Sequence, residues 1–484
     1  MASGTPQSSG WSSKYTLTKN ASMSRCRIAR GHSMTADGRL RITFNPPDCR
    51  RAMELDPWAS DRIKDYARLR DQFGLGTLTP DAGGLPEGRL FRRSIVFAHR
   101  GWDLFGRALA DGKPTALMTG LMPSGKMHFG HKMLLDQVIA YQRLGTDVFI
   151  AVADLEAAAT RNVPLDECRE FAVEEYLRHY IALGLEPCQF YFQSERLQVQ
   201  RLAHQLSHKV NWSKLEALYG FSSSTSLAHA NAPLVQAGDI LHPQLEEFGG
   251  PRPTLVPVGV DQDPHLRLTR DLAAAMRMVR CRQAKDGRVG AFAPPADGVE
   301  KLLKDASKLC RKLGFKKQEL NVNYGALYLD DAGAADVEYI DAALAHVDAS
   351  HGGFGFVSPS STYHRLMLGL TGGKMASSEP DTAIFLADSS SEAKRKVKRA
   401  QTTGGQTVEE HRKTGGTPLE CPVFELYAYH LMDDDSRLKE IHDGCADGSW
   451  FCGECKVLAG DLLGEFLEGH QSHLAEANTK AFAV

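Results

Sequence analysis

The sequence predicts an α/β protein whose centre is a doubly wound parallel sheet, and three observations carry that prediction. Short apolar runs at residues 115–119, 147–153, 188–192 and 255–260 alternate with longer segments whose apolar residues recur once per helical turn. The run at 147–153 is apolar almost throughout, as a strand covered on both faces must be. Glycines or prolines stand where the helices should stop or start: Gly145, Pro164 and Gly184. Strands and helices in strict alternation build parallel sheets.

The elements follow in order. Residues 61–73 read as a charged helix stopped by Gly74, and residues 79–88, rich in glycine and proline, as a linker. The strand at 115–119 runs into Gly120, and a helix at 132–144 places Leu134, Val138 and Tyr141 on one face. After the strand at 147–153, Pro164 opens a helix stacking Val173, Leu177 and Ile181. Residues 266–279 are helical, with Leu268, Leu272 and Met276 one turn apart. Between about 280 and 355 the rhythm breaks into a basic helix-like stretch (300–313) and an acidic one (330–348), read as an insertion. A Gly/Ser-rich loop, a basic run and a helical C-terminal region close the chain.

Composition excludes several classes. A chain of 484 residues should hold more than one domain. No apolar run approaches the length of a membrane span. The net charge of −2 is no global polycation, so nucleic acid would have to meet local basic patches, such as Lys394, Arg395, Lys396, Lys398 and Arg399. Ten cysteines in this chain do not form a secreted disulfide framework, which points to a reducing, cytoplasmic setting. The first 36 residues lack Asp and Glu and carry Lys14, Lys19, Arg25, Arg27 and Arg30 among serines. That composition predicts a disordered arm, with an organellar transit peptide as the alternative.

Two motifs carry chemistry. Pro123, Ser124, Gly125, Lys126, Met127, His128, Phe129, Gly130 and His131 lie between a strand and a helix, where free backbone N–H groups and the positive helix end face the loop. Two imidazoles there can donate to phosphate oxygens, and Gly130 lets a flat ring approach the backbone; the alternative is a pair of capping histidines. The second motif is Gly372, Gly373, Lys374, Met375, Ala376, Ser377 and Ser378: a glycine-hinged loop with one cation and two hydroxyls. A mobile cation arriving late would stabilise charge developing on phosphate, though alone this is also an ordinary surface loop. Cys421, Cys445, Cys452 and Cys455 form a third pattern, Cys-x23-Cys-x6-Cys-x2-Cys. Four thiolates suit tetrahedral zinc or an iron–sulfur cluster, and the alternative is ordinary buried thiols.

Together the first two motifs resemble the HIGH and KMSKS signatures of class I aminoacyl-tRNA synthetases. The block from Gly259 to Asp271, which includes Asp261, Gln262, Asp263 and His265, is similar to one in tryptophanyl-tRNA synthetases of archaeal and eukaryotic type, as are Asp56-Pro57-Trp58, Phe97-Ala98-His99-Arg100 and Pro233-Leu234-Val235-Gln236. The resemblance covers the chain from about Asp56 onward. It implies a Rossmann-like catalytic domain at 94–280 with its mobile-loop end at 356–400. An N-terminal arm and extension (1–93), an insertion (281–355) and a helical anticodon-binding domain (401–484) complete the expected organisation. It implies tryptophan, ATP with Mg2+ and tRNA(Trp) as substrates, and a homodimer. His128, His131 and Lys374 would be catalytic. Pro123, Ser124, Gly125, Gly130, Met375, Ser377 and Ser378 would join them around ATP, and Glu156, Gln236 and Gln262 would hold the amino acid.

The sequence departs from the family pattern in three places. Ser377 stands where the general motif has its second lysine, and Met118 and Ala151 occupy the positions of the tyrosine and glutamine that meet the indole nitrogen in many eukaryotic-type relatives. A buried indole N–H left unpaired costs about 1–3 kcal/mol, so another acceptor is expected. The cysteine spacing resembles that of a subset of these enzymes carrying a [4Fe–4S] cluster, which implies a cluster here, with Zn2+ as the alternative. A tyrosyl-tRNA synthetase, a small-molecule nucleotidyltransferase and a non-catalytic RNA-binding paralogue are the competing readings.

Overall fold

The computed structural model describes residues 65–482 except 124 and 405–406, together with the backbone of two N-terminal strands. Those strands, β1 (Gly31–Met34) and β2 (Leu40–Thr43), pair antiparallel with Gly31 opposite Thr43. The expected arm therefore holds a strand, β1, that pairs with β2. The charged residues of the arm, Asp56-Pro57-Trp58 and Ser124 lie outside the described residues.

The larger unit, residues 56–484, is organised by a seven-stranded sheet. Its members are β3 (Gly76–Thr77), β4 (Val96–Arg100), β5 (Ala116–Leu121), β6 (Asp147–Val152), β7 (Gln189–Phe192), β8 (Thr254–Gly259) and a last strand, Ser360–His364. From the last strand through β8, β5 and β6 to β7 all neighbours are parallel, while β4 and β3 complete one edge antiparallel. Alternation along the strands feeds two cores. Leu117, Ile150, Phe190 and Leu255 pack on one face with the Phe129–Arg143 helix; Met118, Ala151, Tyr191 and Val256 pack on the other with the Leu227–Leu241 and Asp263–Ala275 helices.

The predicted linker at 79–88 is not free. Leu78 and Leu85 join the first core, and a Cβ on Gly84 would lie 2.6 Å from the Gly106 carbonyl. Turn-forming residues gave it a loop, but packing made the loop part of the core. The segment expected to be an insertion also holds more than two helices, Val299–Lys312 and Val337–Ser350. Strands β9 (Arg280–Gln283), β10 (Val289–Phe292), β11 (Gln318–Asn321) and β12 (Ala326–Leu329) form an antiparallel sheet ordered β11-β12-β10-β9, with a core of its own. Buried Asp348 ties it to the larger sheet's side, accepting from Met278 N, Val279 N and Gly355 N at 2.5, 3.1 and 2.9 Å beside Arg277. The last strand of the larger sheet, Ser360–His364, is β13.

The basic run lies on the Ser390–Arg399 helix and is largely neutralised within the fold. Lys396 is buried, bonding Asp388 at 2.7 Å and the Ala383 carbonyl at 3.1 Å. Lys394 pairs with Asp461 at 2.8 Å and Arg395 with Glu392. Of the five residues expected to form a basic patch, Lys396 does not face outward: a helix of this amphipathic pattern must turn one face inward, and Lys396 sits on it. Among the described residues no helix is long and apolar enough to cross a membrane.

Candidate active site

The chain leaves β5 for β6 and β7 on one side and returns to β8 and β13 on the other, so the direction of winding reverses between β5 and β8. Ligands bind at such a point, beyond the carboxyl ends of the strands. The loop from Pro123 to His128 follows β5, and Val260–Gln262 follows β8.

The two histidines close a reciprocal cap on the Phe129–Arg143 helix. His128 Nδ1 accepts from Gly130 N at 3.1 Å, and His131 Nδ1 accepts from His128 N at 3.3 Å. Their rings stack with centroids 3.9 Å apart. Burial, each other's proximity and Lys374 push His128 down to about 2; burial and then Lys374 push His131 down to about 4. Both are therefore neutral at pH 7. With Nδ1 accepting, each proton sits on Nε2, a donor suited to phosphate oxygen. Capping and phosphate binding, posed as alternatives by the sequence, use different nitrogens and coexist. A Cβ on Gly130 would lie 2.9 Å from His128 Cε1, so the stack itself requires glycine there.

The loop is held from below. Met127 N donates to Glu175 Oε1 at 2.9 Å and Tyr176 OH to the Gly125 carbonyl at 2.6 Å. The glycine-hinged loop meets it from across: Ser377 Oγ donates to the Lys126 carbonyl at 3.0 Å, and a Cβ on Gly125 would lie 2.5 Å from Ser377 Cβ. Lys374 Nζ lies 3.6 Å from Asp261 Oδ2. Met375 is buried, its N–H donating to the Met367 carbonyl at 3.1 Å, so it anchors the loop, whereas Ser378 is exposed. Pro123 is buried behind the loop. In the Asp261-Gln262-Asp263 block the acids face apart: Asp263 accepts from Arg100 at 2.9 Å and Tyr363 at 2.6 Å, while Gln262 Nε2 lies 3.5 Å from Asp261.

Glu156 stands half-buried in the first turn of the Asp154–Arg161 helix; burial raises its pKa, opposed by Arg161. Gln236 is half-buried on the Leu227–Leu241 helix. One turn along is a residue sequence reasoning missed, Asp239. It is buried, accepts from Tyr191 OH at 2.8 Å and Gln193 Nε2 at 2.6 Å, and is pushed up to about 7 by burial, with the Glu156 and Asp154 charges adding to the rise. Gln193 Oε1 beside it is buried with no partner. Tyr191 sits in register with Ala151, so this polar group adjoins the positions where an indole acceptor was expected and not found. A lone charge inside the apolar run Leu234 to Leu241 was the signal available.

Far from this cleft in sequence, Cys421, Cys445, Cys452 and Cys455 line one cavity with Phe424, Ile441 and Trp450. Cys421 caps the Pro422–Leu426 helix, and Cys452 and Cys455 open the Cys452–Glu476 helix. Burial pushes the Cys445 thiol up to about 11 and that of Cys455 to about 12. Gly404 and Gly416 leave room for the sulfurs, since a Cβ at either would lie under 3 Å from Cys452 or Cys445 Sγ. Among the described residues no three His, Cys, Asp or Glu side chains converge as ligands of a single ion.

Similarity to known proteins agrees with this geometry. The family described as tRNA synthetases class I (W and Y) matches residues 110–312 and 318–468. The chain belongs to that class I synthetase family. It is 44% identical over 425 residues to the tryptophan–tRNA ligase of Methanosarcina acetivorans, covering 86% of this chain and 95% of the relative. It is 43% identical over 428 residues to that of Thermoplasma acidophilum, covering 88% and 98%. The crystal structure of tryptophanyl-tRNA synthetase from Aeropyrum pernix aligns with a TM-score of 0.67 at 39% identity, covering 89% of this chain and 98% of that one. Within the class, its place is in the tryptophan–tRNA ligase family.

Proposed function

We propose that the cleft activates tryptophan with ATP and transfers it to tRNA(Trp). The observation that carries this reading is the pair of neutral, stacked imidazoles at a helix start, faced by Lys374 on a glycine-hinged loop. The tryptophan carboxylate attacks the α-phosphorus in line; the new O–P bond forms as the bond to pyrophosphate breaks, leaving tryptophanyl-adenylate. His128 and His131 donate from Nε2 to phosphate oxygens, and Lys374 exchanges Asp261 for the charge growing on pyrophosphate. A terminal ribose hydroxyl of the tRNA then takes the acyl group and AMP leaves. Mg2+ would accompany ATP and supply positive charge to its phosphates. Loss of one transition-state contact of this kind costs about 100- to 1000-fold in rate. Lys374→Ala should therefore slow single-turnover adenylate formation on that scale with little change in ATP affinity; an unchanged rate contradicts the assignment.

On the amino-acid side, Glu156 takes the ammonium, and Gln236 and Gln262 flank the substrate. Asp239, with Gln193 Oε1, accepts the indole N–H in place of groups that Met118 and Ala151 cannot supply. Cys421, Cys445, Cys452 and Cys455, which line one cavity, would hold a [4Fe–4S] cluster bracing the C-terminal helices, with Zn2+ as the alternative. Lys398 and Arg399 remain for tRNA phosphates beside the C-terminal helices. The enzyme acts as a homodimer in the cytoplasm, where thiols stay reduced.

A further inference from the structure

The phosphate loop is tied to the far end of the C-terminal helix through three buried or half-buried side chains. The Cys452–Glu476 helix begins at the cysteines and reaches His470 about 27 Å along its axis. There His470 Nε2 lies 2.7 Å from His179 Nδ1, with ring planes 11° apart. His179 Nε2 lies 3.9 Å from Glu175 Oε1, the same oxygen that accepts the Met127 amide at 2.9 Å. Glu175 and Tyr176 are neighbours in a π-helical segment, Ala172–Leu177, and both reach the loop backbone. Such widened turns are frequent at functional sites.

The proton positions follow from the neighbours. If His179 donated from Nδ1, its bare Nε2 would face the Glu175 carboxylate, and His470 would bury an N–H at Nδ1, where it has no partner. The reverse order leaves neither fault: His470 Nε2–H donates to His179, whose Nε2–H points its positive end at Glu175. We infer that Glu175, His179 and His470 are positioning residues for adenylation, through which the C-terminal helix holds the Met127 amide and the loop that binds ATP. This rests on the reading of the Pro123-to-His131 loop as the phosphate site.

Single-turnover adenylate formation in the full chain tests it. His470→Ala should slow formation roughly two- to tenfold, the scale of one hydrogen bond, with the KM for tryptophan held within about twofold. His470→Gln, whose amide can donate at the position of Nε2, should restore most of the rate. Glu175→Ala should cost more, and the double variant no more than Glu175→Ala alone. Folded His470→Ala protein with an unchanged rate, His470→Gln as slow as His470→Ala, or multiplying losses in the double variant would each overturn the inference. His131→Ala separates the two readings: if it is slow while His470→Ala is silent, only the positioning line fails, and if both are silent the phosphate site itself is misassigned.

Discussion

At the residue scale, the proposed reading of the indole turns on a carboxylate that only the structure brought forward. His128, His131 and Lys374 were legible because their chemistry travels with short local motifs. Asp239 was not, because its partners Tyr191, in β7, and Gln193, just past its end, lie 46 to 48 positions away, and nothing local marks their convergence. Asp239→Asn would turn an acceptor into a mixed group facing the indole N–H. The expected cost is about 1–3 kcal/mol, raising the KM for tryptophan roughly five- to hundredfold while the KM for ATP stays near its starting value. Asp239 has its pKa pushed up to about 7, so its accepting, charged form grows as pH rises through that value. The KM for tryptophan should fall between pH 6 and 8, and the Asp239→Asn profile should be flat there. Steady-state kinetics across that range checks both.

Element by element, the strands β5 to β8 and their glycine-stopped helices could be read because their buried residues are mostly apolar, whereas β13, parallel to β8 and just as buried, is built of Ser, Thr, Tyr and His and gave no such run. The four-stranded sheet at 280–329 could not: strands of four residues such as Arg280–Gln283 and Gln318–Asn321 carry charges and are largely exposed, so they look like loops. The C-terminal helices sit between these cases. Their cysteines are far apart in sequence, yet a helix cap, a last helical turn and a helix start carry all four to one cavity. Anaerobically purified protein should be brown, with iron and labile sulfide near four each per chain by the formula of the cluster. One equivalent of zinc in colourless protein would replace the cluster but keep the site. Metal-free protein with Cys452→Ser of unchanged stability would make these ordinary thiols.

Across the whole molecule, many buried histidines are neutral in the folded state. Eight of them, His128, His131, His179, His242, His265, His364, His430 and His470, are pushed down to about 4 or below, first by burial. Unfolded histidine titrates near 6.5, so between about 6.5 and 4 the unfolded chain binds more protons than the folded one. Stability from these groups is present above about 6.5 and is lost as pH falls through about 4. Denaturant titrations should show a midpoint falling steadily from pH 7 to pH 4.5; a flat midpoint would mean these rings are charged when folded. The cleft reading makes a sharper demand, since it assigns both a reaction and a substrate. Amino-acid-dependent exchange of pyrophosphate into ATP, run with each of the twenty amino acids, is the direct test. Exchange with tryptophan alone, slowed about 100- to 1000-fold in Lys374→Ala, is the predicted result, whereas exchange driven by tyrosine, or by no amino acid, would contradict it.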